Sequence, residues 1–138
     1  MRDKFQQTLA AIIEKRNFKG PMNNIITLNS STTSFFLDLL DMFKYSDPIT
    51  STSKQIATQH GKAERTIQLY VKTLKDCNLL HVRPIWNNDN PLKPYIEKNQ
   101  YHLTSNAHKL IQKAKNISDG EKNVFFNHKR PGFNAWIK

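Results

Sequence analysis

Residues 51–77 decide the fold that we expect for this chain, and they read STSKQIATQHGKAERTIQLYVKTLKDC. Ser and Thr at the start cap a short helix over residues 54–60, in which Ala57 faces inward. Gly61 ends this helix, because glycine adopts left-handed backbone without steric cost. After a tight turn, the apolar spacing predicts a longer helix over residues 63–77. Two helices joined by so short a turn make a helix-turn-helix unit.

The longer helix carries two faces of opposite chemistry, given a rotation of about 100° per residue. Arg65 and Gln68 lie on the polar face, and their forked donors and acceptors match guanine and adenine edges in the major groove of DNA. Lys72 and Lys75 share that face and suit phosphates, which give affinity without sequence information. The opposite, apolar face consists of Ala63, Ile67, Tyr70, Val71 and Leu74.

A charged helix face also occurs on helices that bind nothing, where it is simply solvated. Three features coincide in this chain, however. Ala57 supplies the small residue where two helices cross, Gly61 supplies the turn, and a hairpin pattern follows. We therefore favour a DNA-binding face over a solvated surface.

Two sets of residues are candidates for DNA contact. The turn and the longer helix supply Lys62, Glu64, Arg65, Gln68, Leu69, Lys72 and Lys75. The start of the short helix supplies Ser53 and Lys54. The hairpin supplies Arg83, Lys93 and Lys98, which we expect at phosphates or the flanking minor groove. For the hairpin, the alternative is a solvated loop that contacts nothing.

The remaining elements predict a mainly α fold with a small β-hairpin, of the α+β class. Pro84 would interrupt a central ladder, so the first hairpin strand should be an edge strand or carry a bulge. The predicted elements are a helix over 3–16 capped by Asp3, a strand or extended segment over 25–28, a central core helix over 32–44 capped from Ser30–Thr32, a short strand at Ile49, strands over 80–86 and 95–104, a helix over 106–116 capped by Ser105, and an irregular tail over 117–138.

The chain resembles the winged helix-turn-helix superfamily of DNA-binding proteins over about residues 31–116. Asn78 stands where that superfamily usually has Gly, and Asn tolerates left-handed backbone. The resemblance is carried by Lys54-Gln55-Ile56-Ala57, Gly61, Arg65-Thr66-Ile67-Gln68, Leu74, Leu79-Leu80 and Tyr101-His102-Leu103-Thr104. It implies a winged-helix domain over 22–116, an accessory helix within 1–21 and a tail over 117–138.

Two groups within the superfamily compete for the biological role. Residues 31–80 resemble the DNA-binding modules of phage and plasmid replication initiators. The flanking helices resemble instead the dimeric transcription repressors of the multiple-antibiotic-resistance regulator type, which would imply a homodimer through residues 3–16 and 106–116. A third hypothesis is a protein-interaction adaptor whose tail docks a partner through Phe125, Phe126, Phe133 and Trp136 beside Lys129-Arg130. The alternative for these aromatic residues is that they fold back and cover the apolar face of the first or last helix.

Composition agrees with nucleic acid as the partner. The formal charge is +10, which attracts polyanions. No apolar run approaches the roughly 20 residues that span a bilayer, and the start lacks a signal peptide's apolar core. We therefore expect a cytoplasmic protein that binds no membrane. We expect it to be associated with a bacterial nucleoid or plasmid.

The sequence offers no pattern that predicts catalysis, a cofactor or a metal. Cys77, His81 and His102 lack the spacing of a zinc site, and Cys77 continues the apolar face of its helix, so we expect it to be buried. Asp38 and Asp41 are more consistent with a solvated helix face than with a catalytic pair. We therefore expect a non-enzymatic protein.

Overall fold

A computed structural model describes the backbone of residues 3–127 and the side chains of residues 3–119. This part of the chain is α+β, with five α-helices and two small antiparallel sheets. The elements in chain order are α1 (Lys4–Lys15), β1 (Phe18–Lys19), β2 (Ile25–Ile26), α2 (Ser30–Phe43), β3 (Ile49–Ser51), α3 (Ser53–His60), α4 (Glu64–Asp76), β4 (Leu80–Asn87), β5 (Tyr95–Leu103) and α5 (Ser105–Asn127).

The larger sheet has the strand order β3-β5-β4, so β5 is central and β4 lies at the edge. Pro84 has no N–H to donate to a second neighbour, and the prediction that its strand is an edge strand or carries a bulge is confirmed. The pairing of β4 with β5 also shifts register between Ile85 and Trp86, which marks a bulge. The smaller sheet pairs only β1 with β2, so the segment over 25–28 is a strand at its start.

The core is a single cluster to which helices from both ends of the chain contribute. α2 is its most apolar contributor, as predicted, and Phe36 and Leu39 are fully buried there. α1 and α5 pack against each other at one side of this cluster. Their buried side chains are Leu9, Ala10 and Ile13 from α1, and Ala107, Leu110 and Ala114 from α5.

The caps of the first two helices illustrate one success and one error of sequence reasoning. The Asp3 carboxylate accepts from the Gln6 amide N–H at 2.8 Å, so the predicted cap of α1 is confirmed. For α2, the predicted cap from Ser30–Thr32 is wrong. Asn29 caps this helix, because its Oδ1 accepts from the Thr32 N–H at 2.8 Å, and the helix begins at Ser30.

α5 departs most from the prediction. Thr104, not Ser105, caps it, since the Thr104 hydroxyl accepts from the Ala107 N–H at 3.1 Å. The helix continues to Asn127 instead of ending at residue 116, so residues 117–127 are not irregular. Ala114 and Ser118 are buried one turn apart, and this packing carries the helix past the predicted end. The rest of the predicted tail and its partner-docking aromatic side chains lie outside the described residues.

Candidate nucleic-acid interface

The turn between α3 and α4 has the geometry that Gly61 was predicted to provide. Gly61 adopts left-handed backbone with φ 63° and ψ 35°. Its N–H donates to the Thr58 carbonyl at 3.3 Å, and the Lys62 N–H donates to the Ala57 carbonyl at 3.0 Å. These bonds satisfy the last carbonyls of α3 and turn the chain at once into α4. Ala57 is buried, as the helix crossing requires.

α3 is held at its start by a reciprocal pair of hydrogen bonds. The Thr52 hydroxyl accepts from the Gln55 N–H at 3.0 Å, and the Gln55 side chain accepts from the Thr52 N–H at 3.1 Å. Thr52 is therefore the cap within the predicted group Ser51–Ser53. Ser53 is half-buried as the first residue of α3, and Lys54 is exposed beside it.

α4 has the buried face that its periodicity predicted. Ile67 and Leu74 are fully buried, while Tyr70 and Val71 are half-buried against the core. Ala63 is the exception, because it precedes the first helical residue with extended backbone and is exposed. The rotation of about 100° per residue does not apply to a residue outside the helix, so its placement on the apolar face was wrong.

The opposite face of α4 presents polar and cationic side chains to solvent together. Arg65, Gln68, Lys72 and Lys75 are all exposed, and Leu69 lies among them with 56% of its surface exposed. Glu64 is exposed in the first turn, where its carboxylate suits the positive end of the helix dipole. Lys62 is exposed in the turn that leads into this face. The residues predicted on α4 are thus brought onto one side of one helix.

One carboxylate on this face was missed by sequence reasoning. The Asp76 carboxylate lies 2.9 Å from the Lys72 ammonium, and the Lys72 side chain is 73% exposed. The signal was available, because an Asp four residues after a Lys faces it across one helical turn. Gln68 makes a longer contact of 3.5 Å with the Glu64 carboxylate. Both polar side chains therefore have partners on their own helix in the free protein.

The cations predicted on the hairpin are exposed but spread along it. Arg83 pairs in register with Gln100, and Lys98 pairs with Ile85, two residues further along β4. Ile85 lies two residues after Arg83 on β4, so their side chains share one face of the hairpin. Lys98 lies opposite Ile85 and therefore on the same face as Arg83. Lys93 lies apart from them in the loop, where its N–H donates to the Asn90 carbonyl at 3.0 Å.

Cys77 is buried at the end of α4, as predicted. Burial, with a smaller contribution from the neighbouring Asp76 carboxylate, raises the pKa of its thiol to about 11. The rings of His81 and His102 lie 5.9 Å apart as register partners on β4 and β5. Among the side chains that the structure describes, no three His, Cys, Asp or Glu residues converge in a way that would hold a metal ion.

No protein-family model matches the chain, and no curated protein matches it. Over the described residues, none of the helices is at once long enough and apolar enough to cross a membrane.

Proposed function

We propose that this protein binds double-stranded DNA in a sequence-specific manner and places the exposed face of α4 in the major groove. The observation that carries the proposal is the joint exposure of Arg65, Gln68, Leu69 and Lys72 on the side of α4 opposite the buried Ile67 and Leu74. A major groove about 12 Å wide admits one α-helix, and this helix is free on the side that bears base-reading chemistry.

The order of elements supports this use of α4. A core helix, a short strand, two helices around Gly61 and an antiparallel hairpin follow one another, which is the order expected of a winged helix-turn-helix. In that arrangement the second helix of the pair enters the groove, and the hairpin flanks it. Ser53, Lys54, Arg83, Lys93 and Lys98 are then phosphate or minor-groove contacts.

Chemistry divides the roles on α4. Arg65 makes a bidentate contact to guanine, and Gln68 does the same to adenine, each contributing about 1–3 kcal/mol of discrimination. Leu69 suits an apolar contact with a thymine methyl group. Lys72 and Lys75 neutralise phosphates on either side, so their contribution is independent of sequence and falls with salt.

The ion pair between Lys72 and Asp76 on α4 lowers the affinity of the protein for DNA. Asp76 places a carboxylate 2.9 Å from the Lys72 ammonium, on the face that approaches phosphates. Bringing phosphate to Lys72 therefore also brings it near a like charge. We expect Asp76→Asn to bind DNA more tightly at low salt. Asp41→Asn is the matched control, because Asp41 pairs with Lys44 at 3.4 Å on another helix.

The deciding experiment is selection of bound sequences from a random duplex pool, followed by affinity measurements on the selected site. Arg65→Ala and Gln68→Ala should relax the preference at one base position each. Lys72→Ala should weaken all sequences alike and lower the salt slope by about 1. Lys44→Ala, an exposed lysine outside the proposed interface, should leave binding unchanged. Enrichment of no sequence, or variants at Arg65 and Gln68 that keep the full preference, contradicts the proposal.

We further propose that this activity serves replication initiation or its control on a plasmid or phage, with a dimeric transcription repressor as the alternative role. Tandem direct repeats among the selected sites favour the initiator, and a palindrome over the protein's own promoter favours the repressor. The homodimer through residues 3–16 and 106–116 stays a prediction. In the single chain, the buried side chains of α1 and α5 pack against each other. An adaptor would instead bind duplex weakly even at low salt.

A further inference from the structure

The far end of the β4–β5 hairpin carries four large apolar side chains in solvent. The exposed fractions are 51% for Trp86, 90% for Leu92, 55% for Tyr95 and 48% for Ile96. Single exposed apolar residues are ordinary, but these four lie within residues 86–96. Trp86 and Ile96 are register partners, so their side chains share one face of the hairpin. We call residues 86–96 the hairpin tip.

The hairpin tip lies well away from the core. Val82 and Tyr101 are register partners where the hairpin packs on the protein, and Tyr101 is buried there. Asn87 pairs with Tyr95 five residues further along β4, which places this pair about 16 Å beyond the packed one at ~3.3 Å per residue. The apolar side chains of the tip therefore do not serve the fold.

The loop at the end of the hairpin is held in a defined shape. The Asn90 side chain accepts from the Leu92 N–H at 3.1 Å, and the Asn87 side chain accepts from the Asp89 N–H at 2.9 Å. These bonds fix the backbone that presents Leu92. The loop is thus pre-organised, with Trp86 and Ile96 on one face of the hairpin and Tyr95 on the other.

The charges on the chain favour DNA as the occupant of this surface. The hairpin carries Arg83, Lys93 and Lys98 against two carboxylates, and Glu97 already accepts from the Asn87 amide at 3.0 Å. With a net charge of +10, a second copy of the chain is repelled over distance, whereas duplex DNA is attracted. DNA also offers flat apolar base faces, and proteins reach them by inserting apolar side chains at a base step.

We propose that the hairpin tip inserts Trp86 and its apolar neighbours between base pairs of the bound duplex, and that this insertion unstacks them. The inference rests on the DNA binding proposed above and adds an activity to it, namely local distortion of the duplex beside the site that α4 contacts. β4 begins at Leu80, close after the last residue of α4, so the hairpin is anchored next to that helix.

The test uses a short duplex of the selected sequence with fluorescein at one end and 2-aminopurine at positions flanking the α4 site. Anisotropy of the fluorescein reports binding, and 2-aminopurine fluorescence, which rises when a base unstacks, reports insertion. We expect the full chain to raise the 2-aminopurine signal severalfold at one flanking step. The double variant Trp86→Ser, Leu92→Ser should lose that rise, whereas Trp86→Phe should keep most of it, because a ring remains.

Controls separate insertion from folding and from binding. Tyr45→Ser removes a side chain that is 91% exposed but lies outside the hairpin, and it should leave both signals unchanged. Far-UV circular dichroism and the urea midpoint check that the tip variants fold. The measurement on the unmodified chain needs no variant, so binding without a rise overturns insertion even if a tip variant binds poorly.

The outcomes are distinct. Binding with the severalfold rise, lost only in the Ser double variant, supports insertion. Binding without any rise overturns insertion and leaves the proposed DNA binding intact. If the Ser double variant retains the rise, the assignment of insertion to the tip is overturned. It is also overturned if a tip variant reduces self-association in sedimentation while the rise persists. No binding at low salt overturns both the insertion and the function on which it rests.

Discussion

The turn at Gly61 determines how α4 projects, and the cost of placing a residue with a Cβ in its left-handed backbone can be measured. Gly61 has φ 63°, and a Cβ atom built on it meets no heavy atom within 4 Å. Gly61→Ala therefore creates no clash, and its cost is the left-handed conformation alone, about 1–2 kcal/mol for a residue with a Cβ. Ala also reduces the conformational entropy of the unfolded chain, but where φ is positive this stabilisation is smaller than the cost.

Gly61→Asn is the matched variant. Asn also adds a Cβ, but it tolerates left-handed backbone better than Ala does. We expect the free energy of unfolding to fall in the order Gly, Asn, Ala, with the Ala variant about 1–2 kcal/mol below the unmodified protein.

Urea unfolding followed by far-UV circular dichroism measures this difference. With a slope of about 2 kcal/mol per M, the midpoint of the Ala variant should fall by about 0.5–1 M at unchanged slope. An Ala variant as stable as the unmodified protein, or an Asn variant as destabilised as the Ala one, would refute the assignment of left-handed backbone to this turn. A changed slope would instead mean that the substitution alters the compactness of one state.

Three further predictions concern the elements that hold α4 in place. Thr52→Ala removes the cap of α3 and should lower the free energy of unfolding by about 1 kcal/mol in the same urea assay. Leu74→Ala opens a cavity in the core and should cost about 2–5 kcal/mol, whereas Leu69→Ala on the exposed face should stay within about 0.5 kcal/mol; equal losses would contradict the two-faced helix. Burial raises the pKa of the Cys77 thiol above the ordinary 9.0 to about 11. Between these values the folded state keeps a proton that the unfolded state loses. The free energy of unfolding should therefore fall as pH rises from about 9 to 11. The Cys77→Ala variant should lack the decrease that is due to this thiol, which is up to about 2–3 kcal/mol. Parallel pH profiles of the free energy of unfolding for the two proteins would contradict this prediction.

Sequence patterns were reliable where one helix or one turn decides the outcome. The two faces of α4 follow from its periodicity, because Ile67 and Leu74 lie on one side of a helix whatever packs against them. The missing N–H of Pro84 restricts β4 to an edge position or a bulge, and β4 has both. The exposure of Arg65 and Gln68 was likewise predictable, since both lie opposite the apolar face.

Errors arose where two local solutions compete or where distant packing intervenes. Asn29 and the serines after it are all good caps, and the sequence does not say which one the helix uses. The ion pair of Asp76 with Lys72 is different, because its i,i+4 spacing on α4 is enough to predict it.

Local sequence is sufficient to predict the two-faced helix and the left-handed turn at Gly61, and to restrict the strand of Pro84 to an edge or a bulge, because each depends on steric and hydrogen-bonding properties of neighbouring residues. The extension of α5 to Asn127 and the exposure of Trp86 and Ile96 on a projecting hairpin depend instead on tertiary packing. Both depend on which surfaces meet: α5 is extended where Ala114 and Ser118 are buried, and the hairpin tip is exposed because it extends beyond the core. How far a helix or a hairpin extends beyond the core is a property of the assembled fold, so no local pattern specifies it.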